Sequence, residues 1–350
     1  MPLSRSPSYQ RRGSDRRVEL PQIAKTTLFE GVWRAVQVDP LASKPATRMI
    51  TRDRSLCWQL TASNVFGKRN PVNRPSSRAP LHLHRVTGPG DPARWAVFLH
   101  GILGSGANWA GFARRWVEAR PDFGACLIDL RLHGRSGGGN PPHTVEAAAA
   151  DVVACLAQEG IAPEIVSGHS FGSKVAFRVA AQLEPKPSSV WLLDADPGSR
   201  PGAQGRSLVL RVIAALRTLP REYESRDAFT GALTERGFPA SLAGWLGKNL
   251  VRAAGTLHLQ IDLDAIEQIL EDYHRTDLWP ELAGSAARVH AVIGGRSDVF
   301  SEGARERLAE AHSRGEITLA ELPDAGHWVH IDAPKGLLDA FLRGVPPLSP

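Results

Sequence analysis

Residues 163–183 read PEIVSGHSFGSKVAFRVAAQL, and within them Gly168-His169-Ser170-Phe171-Gly172 joins a short β-prone run to a stretch with helical spacing. A serine at such a strand-to-helix junction, with glycine two positions to either side, is the pattern of a very sharp turn that holds the serine backbone in a strained conformation. Glycine at 168 and 172 removes the Cβ atoms that would block the approach of strand and helix. The hydroxyl is then presented at the carboxyl end of a sheet, beside helix amides whose dipole favours negative charge. A bare G-x-S-x-G arises often by chance, and an ordinary glycine-rich turn is the competing reading. The rest of the chain decides between them.

Outward from this turn, apolar runs of strand length alternate with helical patterns from Leu81 onward. The runs are WAVFL (95–99), ACLIDL (125–130), PEIVSG (163–168), SVWLLD (189–194), VHAVIG (289–294) and ITLAEL (317–322). Helical patterns lie between them, around 106–120, 145–159, 171–184, 302–313 and 334–343. The alternation predicts an α/β fold with a mostly parallel central sheet flanked by helices. One gap breaks the rhythm: residues 199–286 carry mostly helical pattern and no convincing strand, which predicts an inserted helical cap. The core is then 81–198 together with 287–345, and a cap of this kind usually roofs a site.

Three further features bear on Ser170. Directly after WAVFL, His100-Gly101-Ile102-Leu103-Gly104-Ser105 forms an HG-x-x-G loop ahead of a helix. Such a loop can aim the Ile102 amide at the point reached by the Phe171 amide, giving an oxyanion hole; one donor of this kind is worth roughly 3–4 kcal/mol of transition-state stabilisation. His327, in Asp324-Ala325-Gly326-His327-Trp328-Val329-His330, follows the last strand run and is the expected base, because an imidazole titrates near neutrality. His330 competes but lies a turn further on, where local packing explains it. A histidine base needs a carboxylate partner, and two positions keep the order serine, acid, histidine. Asp194 ends the run SVWLLD, and Asp298 lies in IGGRSDVF (293–300). For a G-x-x-D spacing, counting from Gly294 places Ser297 at the acid position, whereas counting from Gly295 places Asp298 there, so spacing leaves both open.

The blocks HGILGS (100–105), DLRLHGRS (129–136), GHSFGSK (168–174) and GHWVH (326–330) resemble the HGLFGS, DxRNHGxS, GHSMGGK and GHWVH blocks of a known group. That group is the α/β-hydrolase fold, and within it the small bacterial esterases and mitochondrial abhydrolase-domain serine hydrolases. The likeness covers about 81–345. It implies Asp194 as the working acid, with Asp298 the alternative, since the group's later loop often carries Ser-Pro where Ser297-Asp298 stands here. Phe171 and Ser173 replace the usual Met and Gly; the backbone donor survives, but the bulk of Phe171 narrows the expected acyl pocket. Asp129, Arg131 and His133 mimic a catalytic set, yet their place after an early strand predicts a structural turn network.

Composition narrows the function classes. The 350 residues carry a net charge of +6, but residues 1–80 hold 15 Lys/Arg against 5 Asp/Glu, so the remainder is mildly acidic and a nucleic-acid face on the main domain is not expected. Three cysteines without a Cys-x-x-Cys pair argue against a disulfide scaffold or a cysteine-built zinc site. No apolar run approaches the ~20 residues of a membrane span. The Arg- and Ser-rich residues 1–80 read as a transit segment for a plastid or mitochondrion, the alternative being a basic extension on a cytoplasmic protein, and NPVNRPSSRAP (70–80) reads as the linker. No H-E-x-x-H pattern and no phosphate loop at SGGGN (136–140) is present, so neither metal nor cofactor is expected.

The expected activity is a serine hydrolase: Ser170 attacks the carbonyl of a small-molecule ester or thioester, His327 takes its proton, and Ile102 and Phe171 hold the oxyanion. In the cap, helix residues Ile266, Ile269, Leu270 and Tyr273 share one face; they either pack on the core or, with Trp245 and Leu246, line an acyl pocket. Alternatives are a ligand receptor or pseudo-enzyme on the same fold, or a carbon–carbon bond hydrolase. No feature of the chain points to an oligomeric state.

Overall fold

The computed structural model describes residues 81–200 and 208–347; the transit-segment reading of residues 1–80 lies outside them. The chain opens with β1 (Leu83–Val86), β2 (Arg94–Leu99), α1 (Ala110–Ala119), β3 (Phe123–Ile128), α2 (Val145–Gln158), β4 (Ile165–His169), α3 (Phe171–Gln182) and β5 (Ser189–Leu193). Next come α4 (Leu208–Thr218), β6 (Glu222–Tyr223), α5 (Arg226–Thr234), α6 (Ala240–Leu246), β7 (Leu250–Ala253), β8 (Thr256–Leu259), α7 (Leu263–Arg275) and α8 (Trp279–Leu282). The last part contains β9 (Arg288–Gly294), α9 (Ala304–Ser313), β10 (Thr318–Leu322), α10 (Val329–Asp332) and α11 (Pro334–Gly344).

Seven strands form one sheet in the order β1-β3-β2-β4-β5-β9-β10. Only β1 runs antiparallel to its neighbour; the other pairings are parallel. Both faces are covered, which is why β3, β4 and β5 are buried throughout rather than alternating. Within β2, Val97 and Leu99 pack with Val152 of α2 and Val175 of α3, while Ala96 and Phe98 turn to the opposite layer with α1 and α11. In that second layer Phe98 meets Trp109 at 5.4 Å, Phe112 at 5.7 Å and Phe341 at 6.0 Å between ring centroids. Contacts of this type add about 0.5–1.5 kcal/mol each beyond the apolar area they bury.

The segment between β5 and β9 is not wholly helical. β6, β8 and β7 make a small antiparallel sheet, which corrects the expectation of a strand-free insertion. The strands are only two to four residues long, too short for periodicity to register. The β7–β8 turn is Ala254-Gly255, both with positive φ, at 48° and 91°, the backbone of a tight hairpin without its usual Asn-Gly marker.

Candidate active site

The turn at Ser170 has the geometry that its glycines permit. Ser170 sits at φ 53°, ψ −118°, between the end of β4 and the first residue of α3. A Cβ on Gly168 would overlap the carbonyl of Gly172, and one on Gly172 would lie 2.5 Å from the His100 carbonyl oxygen. Ser170 donates its amide to the Leu193 carbonyl at 2.9 Å. Ser173 reinforces that link: its hydroxyl donates to the Gly168 carbonyl at 2.6 Å and accepts from the Leu193 amide at 3.0 Å. The strained residue is thus fixed by bonds to β5 from both sides of the turn.

Asp194 follows β5 directly, at φ 48° and fully buried. Its Oδ1 accepts the Gly294 amide at 2.7 Å, and its Oδ2 accepts the Ser297 hydroxyl at 2.5 Å. The same Oδ2 lies 2.7 Å from Nδ1 of His327, in the loop between β10 and α10. A carboxylate accepting from Nδ1 places the proton there and leaves the Nε2 lone pair free to act as a base. His327 is held from behind by His169, whose Nε2 donates to the His327 carbonyl at 2.8 Å. Burial keeps His169 well below the ordinary imidazole pKa, so it serves that carbonyl as a neutral donor. Asp298 also lines the cavity, but it is exposed and makes no hydrogen bond or ion pair among the described residues.

Ser170, His327, Ile102 and Phe171 face one cavity of about 670 Å³. The Phe171 amide, first in α3, has no intrahelical acceptor, and the Ile102 amide makes no backbone hydrogen bond among the described residues. Two buried histidines shape the 100–105 loop. His100 donates Nδ1 to the Gly101 carbonyl at 2.8 Å and accepts the Leu130 amide on Nε2 at 2.9 Å. His133 donates Nδ1 to the Arg131 carbonyl at 2.7 Å and accepts the Leu103 amide on Nε2 at 2.9 Å. Burial lowers the pKa of His100 to about 4 and that of His133 to about 3, so both are neutral and can accept. Asp129 accepts the Gly106 amide at 2.6 Å and the Arg135 amide at 2.8 Å, and Arg131 pairs with Asp151 at 2.6 Å. The block around Asp129, Arg131 and His133 therefore buttresses the loop and keeps away from the cavity lining.

The insertion supplies part of the cavity wall. Leu242, Trp245 and Leu246 around α6 and Leu270 and Tyr273 of α7 line the cavity, whereas Ile266 and Ile269 of the same helix are buried and absent from its wall. One helix face is thus divided between packing and lining. His330 stacks on Trp109 at 4.4 Å and is buried, with neither ring nitrogen hydrogen-bonded among the described residues. Sequence reasoning missed Lys174, one helical turn after Ser170. Its buried ammonium donates to the carbonyls of Gly198 at 2.8 Å, Tyr273 at 3.0 Å and Thr276 at 2.6 Å, tying α3 to the insertion. It also missed Arg200 and His274 on the cavity wall. The partners of these residues lie far away in sequence, and no local motif marks them.

Comparison with known proteins bears on the whole arrangement. The sequence model of the alpha/beta hydrolase family matches residues 96–340. The chain is 27% identical over 283 residues to the mouse sn-1-specific diacylglycerol lipase ABHD11, covering 80% of this chain and 88% of that protein. It is 26% identical over 246 residues to N-formylmaleamate deformylase of Pseudomonas putida, covering 70% and 86%. Among solved structures, a marine microorganism esterase superposes with a TM-score of 0.65 at 23% identity, covering 76% of this chain and all of that one.

Proposed function

The chain belongs to the alpha/beta hydrolase family, and from that premise we propose that it is a serine hydrolase that transfers the acyl group of a carboxylic ester or thioester to water. The observation that carries this reading is the 2.7 Å bond from Asp194 to His327, with His327 on the same cavity as the strained Ser170. Ser170 Oγ attacks the carbonyl carbon while Nε2 of His327 takes its proton, and the resulting imidazolium is stabilised by Asp194. The oxyanion develops toward the Ile102 and Phe171 amides, which are fixed before substrate arrives, so little reorganisation is needed as charge builds. Collapse of the tetrahedral intermediate releases the alcohol or thiol, protonated by His327. Water, deprotonated by the same histidine, then cleaves the acyl-Ser170 ester.

Residues 199–286 act as the roof of this site, and 81–198 with 287–345 as its base. The apolar walls supplied by Leu242, Leu246 and Leu270 suit an acyl chain, and Phe171, fully buried beside the nucleophile, limits its width. The test is labelling by a fluorophosphonate probe together with turnover of a short 4-nitrophenyl ester. Both are expected for the wild-type protein and both are lost in Ser170→Ala; an unlabelled wild-type protein overturns the reading.

A further inference from the structure

The cavity wall is not uniformly apolar. Arg200 and Arg211 are among its lining residues, and Asp298, which is exposed, is the one acidic residue lining it among the described residues. Arg200 is half-buried, with its Cζ 5.9 Å from the centroid of the Tyr273 ring and one Nη donating to the Val299 carbonyl. Among the described residues no carboxylate lies within ion-pair distance of it. An arginine has five N–H donors, so most of this fork is left for something else. A partly desolvated cation without a counter-charge is costly unless a ligand supplies one.

His274 stands beside it. The Arg200 amide donates to the His274 carbonyl at 2.6 Å, which fixes the two residues together. His274 is 6% exposed, and both of its ring nitrogens are buried and lack a partner among the described residues. Burial, with the nearby Arg200 and Lys174 charges, lowers its pKa to about 4, so at neutral pH it sets no second charge beside Arg200. A single planar fork beside a neutral ring matches one carboxylate better than a multiply charged group.

We propose that the substrate carries a carboxylate, bound by Arg200 at the end of the cavity bounded by Tyr273 and Val299, while its reacting carbonyl lies at Ser170. The proposal rests on the acyl-transfer reading of Ser170 and names the substrate class within it: an ester or thioester of an acid bearing a second, free carboxyl group. The apolar walls take the methylene chain between the two ends.

A matched pair of substrates tests this: mono-4-nitrophenyl glutarate and its neutral methyl ester. The wild-type protein is expected to favour the acid by at least about tenfold in kcat/KM, as a charge-assisted bidentate contact allows. Arg200→Gln is expected to bring the ratio close to one, with Arg200→Lys in between. A wild-type ratio near or below one, or a ratio that Arg200→Gln does not change, overturns the proposal. Calorimetric binding of monomethyl glutarate and dimethyl glutarate to the Ser170→Ala protein separates the two readings. Tighter binding of the acid that is lost on also changing Arg200 supports the subsite even where no ester is turned over. Equal binding of acid and diester rejects the subsite even where Ser170 is labelled.

Discussion

The hydroxyl of Ser297 donates at 2.5 Å to the same oxygen of Asp194 that receives Nδ1 of His327. Ser297 occupies the acid position when spacing is counted from Gly294, and here that position supports a carboxylate supplied by a different strand. Asp298, one residue later, faces solvent. The single-residue offset thus separates a contact with the buried carboxylate from an exposed side chain.

Asp194→Asn is expected to lower kcat by about 10³–10⁴, because an amide partner favours the wrong tautomer of His327. Asp298→Asn is expected to change kcat by less than about threefold, since its side chain is exposed and unbonded. Steady-state hydrolysis of one 4-nitrophenyl ester by both variants is sufficient, and the reverse ranking sinks the assignment of the acid.

Ser297→Ala removes one of three donors from a fully buried carboxylate. A hydrogen bond to a charged group is worth about 1.5–3 kcal/mol, so both stability and kcat are expected to fall, the latter by about tenfold. Urea denaturation alongside kinetics checks this. An unchanged midpoint would mean that the bond contributes nothing.

Lys174 makes an unusual pH signature. Its pKa is lowered to about 8 from 10.5, chiefly by burial, with Arg200 adding to the decrease and Asp196, Asp277 and Asp272 opposing it. Between those values the unfolded chain holds the proton and the folded chain has released it, so this group's contribution to stability rises with pH across the window. Lys174→Met is expected to abolish that rise. At pH 7 the variant leaves three carbonyls without their donor and is expected to lose about 2 kcal/mol. Urea midpoints at pH 7, 8.5 and 10 read both effects; a wild-type slope that survives in the variant removes Lys174 as its source.

At the acid end the buried histidines act together. Burial lowers the pKa of His133 and His330 to about 3 and of His100 and His290 to about 4. As pH falls below 6.5 the unfolded chain takes up protons that the folded chain refuses, so stability is lost at about 1.4 kcal/mol per pH unit for each such group. His330→Phe keeps the stack on Trp109 and removes two unpartnered nitrogens. It is expected to be more stable than wild type at pH 5 and to take up about one proton fewer on unfolding between pH 6 and 4. Equal proton uptake by the two proteins would exclude His330 as a contributor.

What was legible in the sequence was local. The turn around Ser170, the HG-x-x-G loop and the buried parallel strands depend on residues a few positions apart, and the sheet follows them closely: SVWLLD (189–194) contains β5 at Ser189–Leu193. The β7–β8 hairpin escaped because four-residue strands around Ala254-Gly255 offer too little pattern. Spacing left Asp194 and Asp298 open, and resemblance favoured Asp194; the bond to His327 spans 133 positions, a separation that no local count reaches. Lys174, Arg200 and His274 were invisible for the same reason. Their meaning lies in carbonyls and rings contributed by segments remote in sequence, and a lysine on an amphipathic helix reads as surface until its surroundings are known.

Ser170 and Asp194 stand at the ends of adjacent strands, both ahead of the insertion, and only His327 arrives after it. Ser170 and Asp194 therefore lie on one contiguous stretch of chain, at the ends of β4 and β5, while β9 and the loop after it hold the Asp194 carboxylate in place. Natural variation or a graft that exchanges α4 to α8 can retune which molecules enter while leaving that stretch in register, so long as the new segment returns the chain to β9.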